Sequence, residues 1–576
     1  MGIESNQSSQ VRLAQTVEVE PAHPMSASLF KRGWARYRLL FQLGFVFFVI
    51  SFLTRVALMV KAGSAVEPTV IQLIGALFVG TLSDAVAASY FFVPLVLILS
   101  FTPDRIFRAR GYAALLLLGS AVYIFLMLFN AVAEWTFWAE FGSRYNFVAV
   151  DYLVYSHEVI GNIRESYPVG WILGALALVS AIITSWVGRR IFSQTPVRTT
   201  WRERLPYMVA LLALPGLAFV GVDSRAKDFS DNRYVNELAG NGIYSFFAAF
   251  YNNELDYDRF YRHIPIETAF AQVRGALETP HARLASAGAF DLTRNVSYPG
   301  AERRLNVVLI SVESLSAAFL ERFGNTDNLT PNLNALAHEG LMFTNLYATG
   351  TRTVRGLGAL SISLPPTPGQ SIVKRPHNDG IDSLGSVFRA KGYDTRFVYG
   401  GYGYFDNMNA FFGANDYDIV DRTSIAAENV HAENIWGVAD EDLFGKSLEV
   451  IDASFVAGKP SFSHIMTTSN HRPYTYPDGR IDIPSHTGRS GGVKYTDWAI
   501  GDFIARAKSR PWFKNTLFVI VADHCADSAG KSDLPVERYH IPALFYAPDH
   551  IKPGEYTRLA SQIDIVPTIL GQLNMS

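Results

Sequence analysis

"LNVVLISVE", residues 305–313, decides how this chain is read. The run is apolar, rich in β-branched side chains, and stops on a glutamate. It is too short to cross a bilayer and too unbroken for a half-exposed strand, so it predicts a strand buried on both faces. Four more short apolar runs follow it: "TRFVYGG" (395–401), "SFSHIMTTS" (461–469), "TLFVIVADH" (516–524) and "IPALFYAP" (541–548). Helical stretches lie between them, among them "PNLNALAHEG", "SLGSVFRAKGY" and "DWAIGDFIARAKSR". Short buried strands alternating with helices predict an α/β domain around a mostly parallel sheet.

Ligands of such sheets collect at the carboxyl ends of the strands. Glu313 closes the first run, Asp523 and His524 close another, and Ser469-Asn470-His471 closes a third. Thr353 stands in "TGTRTVRGLG" (349–358), between an apolar strand and a helix, with Arg352 and Arg355 beside it. A carboxylate, a carboxylate–imidazole pair, a hydroxyl and a second histidine are thus expected on one rim. Each also has a structural reading. Glu313 suits a cap or an ion pair, Asp523 and His524 suit a loop that satisfies backbone amides, Thr353 suits an N-cap, and His471 suits a polar surface.

The 576 residues exceed one ordinary core, so two or more domains are expected. A net charge of −2 gives no reason to expect a nucleic-acid partner. The apolar content is 49%, concentrated before residue 225, and the single cysteine, Cys525, excludes an intrachain disulfide. Apolar runs at about 39–60, 71–100, 111–133, 169–187 and 205–223 each approach the ~20 residues that cross the hydrocarbon as a helix. The second is overlong and contains Gly80, Ser83 and Asp84, so a kink, a tilt or a buried polar contact is expected there.

Orientation follows from basic residues in short loops. Arg12, Lys31, Arg32 and Arg36 precede the first run; Arg105, Arg108 and Arg110 follow the second; Arg189, Arg190, Arg198, Arg202 and Arg204 follow the fourth. The opposite side offers Lys61, Arg144 and Arg164, with Arg55 expected to snorkel toward the surface. The N-terminus is therefore expected inside and everything after residue 224 outside. The expected domains are a cytoplasmic tail (1–38), a five-helix membrane domain (39–224), a juxtamembrane linker (225–300) and an outer domain (301–576). Within the linker, residues 236–261 read as an amphipathic helix at the membrane surface. The aromatic loop at 134–168 reads either as an interfacial belt or re-entrant segment, or as the lining of a lipid head-group site.

Taken together, "NVVLISVESLS", "LTPNLNALAHEGLMFTNLYATGTRT", "TTSNHRPY", "FVIVADHCAD" and "QIDIVPTIL" resemble the alkaline phosphatase/sulfatase superfamily. Five spans before one such domain resemble, more closely, the lipoteichoic acid synthase group of membrane phosphoglycerol transferases, in a Gram-negative form. The resemblance implies one divalent cation, Mn or Mg, held by Glu313, Thr353, Asp523 and His524, with Thr353 as the nucleophile and His471 as acid/base or donor to the head group. It implies a phosphatidylglycerol-like donor in the bilayer of the inner membrane and a glycan or polyol-phosphate acceptor. Arg352 and Arg355 would add positive charge near the diester. The Gram-positive members carry a head-group segment, F-W-N-R, that matches the middle of "FVYGGYGYFDNMNAFFG" (397–413). Asp406 and Met408 here replace its tryptophan and arginine around Asn407, so Asp406 and Asn407 are expected to contact the head group and the cationic clamp is lost. Tyr399 and His540 are weaker site candidates, the latter for a second cation.

Thr353-Val354-Arg355-Gly356 lacks the Cys/Ser and Pro from which true sulfatases make formylglycine, so sulfate-ester hydrolysis is not expected. Lipid A phosphoethanolamine transferases, also five-span relatives with a threonine nucleophile, typically have a disulfide-rich outer domain that one cysteine cannot supply. Two alternatives to transfer stand beside it: a phosphodiesterase or phosphatase that uses water, and a catalytically silent membrane scaffold.

Overall fold

The computed structural model describes residues 25–63, 66–192, 198–251, 261–527, 529–532 and 534–576. Arg12 and positions 252–260 of the expected surface helix lie outside them. The first part is helical: α1 (Met25–Ala62), α2 (Val70–Phe91), α3 (Val93–Phe101), α4 (Arg110–Phe141), α5 (Phe147–Val154), α6 (Ser156–Ser166), α7 (Val169–Phe192) and α8 (Trp201–Gly221). Among the described residues five helical stretches are long and apolar enough to cross a membrane: Gly33–Ala62, Val70–Phe91, Arg110–Phe141, Val169–Arg189 and Trp201–Gly221. The overlong second run breaks at Phe92, the N-cap of α3, and Pro94 in the first turn of α3 has no backbone N–H to donate back across the break. Gly80 and Ser83 are not the break.

The described residues form two compact units, one within Met1–Val49, Ala85–Met127 and Leu178–Asp223, the other within Ile50–Asp84, Leu128–Ala177 and Ser224–Ser576. In the first, Arg36 and Arg204 share Asp104, with Arg36 Nη1 2.9 Å from Oδ1. Arg36 also donates to the Leu99 carbonyl at 2.6 Å. Two of the arginines that read as loop charges are therefore buried in a network that ties α1, the end of α3 and the start of α8 together.

In the second unit Arg55 corrects another expectation. It does not snorkel; it is fully buried in a two-pronged pair with Asp84, at 2.8 and 2.9 Å. Its remaining donors reach the carbonyls of Gly80 (2.9 Å), Leu238 (2.9 Å) and Gly240 (3.2 Å). Gly80 is required here, because a Cβ on it would stand 2.2 Å from Arg55 Nε. The polar contact expected near Asp84 is this one. The same carbonyls explain why 236–251 is not one helix: the chain forms α9 (Arg233–Ala239) and α10 (Gly242–Tyr251), and Arg55 satisfies the groups that the break leaves open. Tyr234, Val235, Leu238 and Ala239 pack with Leu58, Val66, Ala76 and Trp138.

The remainder builds one nine-stranded sheet: β1 (Asn306–Val312), β2 (Leu341–Tyr347), β3 (Asp394–Tyr399), β4 (Asp418–Val420), β5 (Ser461–Met466), β6 (Thr516–Ala522), β7 (His540–Tyr546), β8 (Gly554–Tyr556) and β9 (Ala560–Ser561). The order is β8-β2-β7-β6-β1-β5-β3-β4, with β9 also on β2. Among these strands β7 alone runs antiparallel to its neighbours. Every residue of β1, β5 and β6 is buried, as expected of strands covered on both faces. Helices α11 (Thr353–Ile362), α12 (Asp440–Val456) and α13 (Arg489–Lys508) belong to the same domain.

Candidate active site

Parallel strands in register place consecutive ends side by side. β1 and β6 pair Val312 with Ala522, so the next residues, Glu313 and Asp523, emerge together. β1 and β5 pair Ser311 with Met466, and Thr467 Oγ1 then accepts the Glu313 backbone N–H at 2.9 Å. Glu313, Asp523 and His524 each turn one ligand atom inward, and these atoms lie within 4.8 Å of one another. Thr353, the first residue of α11, donates its hydroxyl to Glu313 Oε2 at 3.2 Å. It is not the N-cap; Arg352 holds that position without a side-chain cap bond. Gly356 permits the approach of this helix turn, since a Cβ there would stand 2.2 Å from the Asp523 carbonyl oxygen.

The polar atoms of the group fit a cation. Asp523 Oδ1 accepts the backbone N–H of Ser314 (2.8 Å) and of His524 (2.7 Å), which matches its plain structural reading. Oδ2 has no hydrogen-bond partner among the described residues and is buried. The His524 Nδ1–H donates to the Cys525 carbonyl at 2.7 Å. The lone pair of neutral Nε2 therefore faces Asp523 Oδ2 at 3.5 Å and Glu313 Oε1 at 3.7 Å. Burial keeps His524 neutral by lowering its pKa, although Glu313 opposes this. Burial, then repulsion from Glu313, pushes Asp523 well above the carboxylate range. Burial also works against the Glu313 charge, but the histidines His524 and His471, through their protonated forms, and the Ser314 and Thr353 hydroxyls outweigh it and hold its pKa low. Two carboxyl groups and an imidazole lone pair converge on one point, where a positive charge offsets the burial and repulsion that raise the Asp523 pKa; this is the donor set a divalent cation satisfies.

His471 follows β5 and has its ring 4.1 Å from that of Trp436. Asn470 fixes this turn by donating to the Glu313 carbonyl at 2.9 Å. Fully buried Asp440 fixes it from below, accepting Thr468 N at 2.9 Å, Ser469 N at 3.1 Å and Thr496 Oγ1 at 2.7 Å.

The two arginines beside Thr353 part company. Arg352 lies over the rings of Phe141 (5.5 Å) and Tyr152 (5.9 Å), and its charge reaches both His524 and Asp406. Arg355 instead donates to the carbonyls of Thr367 (2.7 Å) and Gly369, which commits its guanidinium to a loop. Asp406 and Asn407 both have left-handed backbones, with φ of 52° and 61°. Asn407 Nδ2 donates to the Val373 carbonyl at 2.8 Å, a structural bond. Met408 is a core residue, 1% exposed. His540 is no ligand of the group: it bonds the Thr344 carbonyl at 3.1 Å and packs between Phe323 and Tyr347. Tyr399 is buried at the end of β3, where burial and then Glu313 raise its pKa.

Sequence reasoning missed Lys374, Asp151 and Trp436. Lys374 Nζ lies 3.5 Å from Asp406 and 3.6 Å from Asp151, and 4.8 Å from the centre of the Tyr155 ring. A cation is thus present beside Asp406 after all. Burial raises the Asp406 pKa, with Lys374 and Arg352 opposing. Trp436 stands 5.3 Å from Phe405. The aromatic segment 134–168 packs on the sheet domain: Asp151 accepts from Gln370 at 3.0 Å, Glu140 from Arg472 at 2.7 Å, and Tyr155 meets Phe405 at 4.9 Å.

Residues 305–575 match the sulfatase family model. The chain is 24% identical over 311 residues to lipoteichoic acid synthase 2 of Bacillus subtilis, covering 50% of this chain and 47% of that protein. It is 26% identical over 285 residues to phosphoglycerol transferase I of Xanthomonas axonopodis pv. citri, covering 46% and 40%. The chain therefore spans less than half the length of these curated relatives. A crystal structure of a protein in the alkaline phosphatase superfamily from Vibrio parahaemolyticus is 36% identical, with a TM-score of 0.50 over 55% of this chain and 78% of that one. The integral membrane lipooligosaccharide phosphoethanolamine transferase A from Neisseria meningitidis shares the fold across 92% of this chain and 95% of its own. Its TM-score is 0.56 at 16% identity.

Proposed function

This chain belongs to the alkaline phosphatase superfamily, and we propose that it works as a membrane-bound phosphoglycerol transferase with a covalent phosphothreonine intermediate. The observation that carries the reading is the Thr353 hydroxyl, held at 3.2 Å on Glu313 in front of a buried carboxylate and an imidazole lone pair. Glu313, Asp523, His524 and Thr353 would hold one divalent cation, Mn or Mg, which would lower the hydroxyl pKa and neutralise charge on the phosphoryl oxygens.

Thr353 Oγ1 attacks the phosphorus of a phosphatidylglycerol-like donor. The threonine O–P bond forms, the P–O bond to diacylglycerol breaks, and the threonine proton ends on the departing alcohol. An acceptor hydroxyl, on a glycan or polyol phosphate, then attacks the same phosphorus and frees Thr353. His471 moves the proton of the leaving and entering alcohols. The first-turn amides of α11 and the Arg352 charge stabilise the developing negative charge. Arg352, Lys374 and Asp406 form the head-group side: the cations meet phosphate, and the carboxylate accepts from glycerol hydroxyls.

We read residues 39–224 as the membrane domain, 225–300 as the juxtamembrane linker and 301–576 as the catalytic domain. The basic loop residues support an N-terminus (1–38) on the cytoplasmic side of the inner membrane and a catalytic domain on the other side. The test follows diacylglycerol release from labelled phosphatidylglycerol with Mn, with and without oligosaccharide. Release that requires Thr353 and rises with acceptor supports transfer. Release indifferent to acceptor, with water taking the group, contradicts it.

A further inference from the structure

Beside the metal-ligand group lies a cavity of 640 Å³ that the chemistry above does not use. Ser316, three residues after Glu313, lines it, as do Arg472, next to His471, and Ala526, two residues after His524. Its far wall is the aromatic segment, with Trp138 and Glu140.

The lining mixes aromatic rings, Trp138 and Tyr474, with the hydroxyls of Ser316 and Thr487, the latter donating to the Pro484 carbonyl at 2.6 Å. Arg472 and Arg489 both turn toward Glu140, at 2.7 and 3.7 Å, and both lie over the Tyr474 ring, at 5.6 and 5.3 Å. Acyl chains are excluded, since burying two arginines and a glutamate against hydrocarbon is costly. The volume falls within the ~300–1,000 Å³ usual for small-molecule sites, much more than a glycerol head group fills. Aromatic rings set beside hydroxyl and guanidinium donors suit a saccharide, which presents both C–H faces and hydroxyl edges.

We propose that this cavity binds the glycan acceptor, with Arg472, Arg489 and Tyr474 orienting a sugar hydroxyl toward the phosphothreonine. The inference rests on the transferase reading for its role, but glycan binding does not require turnover. The test is isothermal titration calorimetry of the full chain in nanodiscs with a neutral glucose pentasaccharide. Native protein and Thr353→Ala should bind alike. Thr487→Trp, at an exposed position that fills the cavity, should abolish binding, and Arg489→Gln should weaken it at least tenfold. Unchanged thermal unfolding would establish that both variants fold. Equal affinity in native, Thr487→Trp and Arg489→Gln proteins overturns the site. So does heat from phosphatidylglycerol vesicles with none from the saccharide. Saccharide binding that Thr487→Trp abolishes, without acceptor-dependent release of diacylglycerol, upholds the site and contradicts the transferase reading.

Discussion

The Thr353 hydroxyl donates a hydrogen bond to Glu313 Oε2 across 3.2 Å, although 40 residues separate them in the chain. The contact joins the start of α11 to the end of β1, and the close pass of Gly356 over the Asp523 carbonyl makes room for it.

Gly356→Ala is therefore expected to act on chemistry more than on stability. Its Cβ would stand 2.2 Å from the Asp523 carbonyl oxygen, so the helix or the ligand loop must yield. Overpacking of this kind costs about 1–3 kcal/mol, whereas a displacement of about 1 Å at a reacting group costs roughly 100-fold in rate. Kinetics and a melting curve of the variant check this. Full activity with a lowered melting temperature would be the opposite result.

Lys374→Ala should weaken donor recognition. It removes the cation between Asp151 and Asp406 and leaves two carboxylates facing the incoming phosphate. Losing one charge-assisted bond of about 1.5–3 kcal/mol corresponds to roughly a 10- to 100-fold fall in kcat/KM for phosphatidylglycerol. A steady-state comparison of donor and acceptor dependence would detect it, with the acceptor KM unmoved.

Arg55→Leu should destabilise the protein by about 3–5 kcal/mol, because it strands the buried Asp84 charge. The double variant Arg55→Leu/Asp84→Leu should recover most of that loss. Thermal unfolding in detergent separates the cases. Equal loss in single and double variants would place the cost in the orphaned Leu238 and Gly240 carbonyls instead.

His464 makes stability depend on pH. It is fully buried, bonded to Ser311 Oγ at 2.7 Å, and burial lowers its pKa to about 3. The unfolded chain protonates it near pH 6.5, so this contribution is complete above that pH. It is lost at roughly 1.4 kcal/mol per unit as pH falls from 6.5 toward 3. Melting temperatures of native protein and His464→Gln across that window should converge as the medium acidifies.

The sequence carried the rim well because its signals are local. An apolar run that ends on Glu313 or Asp523 declares both a buried strand and the residue at its tip, and parallel pairing does the rest. The direction of β7 was not legible, since an apolar run has no polarity. Arg352 and Arg355 look alike in a string, and only the helix start shows that one faces Phe141 and Tyr152 while the other ties down a loop. Lys374, Asp151 and Trp436 belong to no motif; tertiary packing alone assembles them. Arg55 read as a snorkelling residue because Asp84, 29 positions away, is its partner only once two helices pack.

Thr353 is expected to become covalently loaded during turnover. Full-length protein incubated with phosphatidylglycerol and Mn, without acceptor, should be digested and the peptide containing Thr353 examined by mass spectrometry. The expected result is a phosphoglycerol adduct on Thr353 that disappears when acceptor is added and never forms in Thr353→Ala. Diacylglycerol release that continues undiminished in Thr353→Ala, with no adduct on the native peptide, would contradict it.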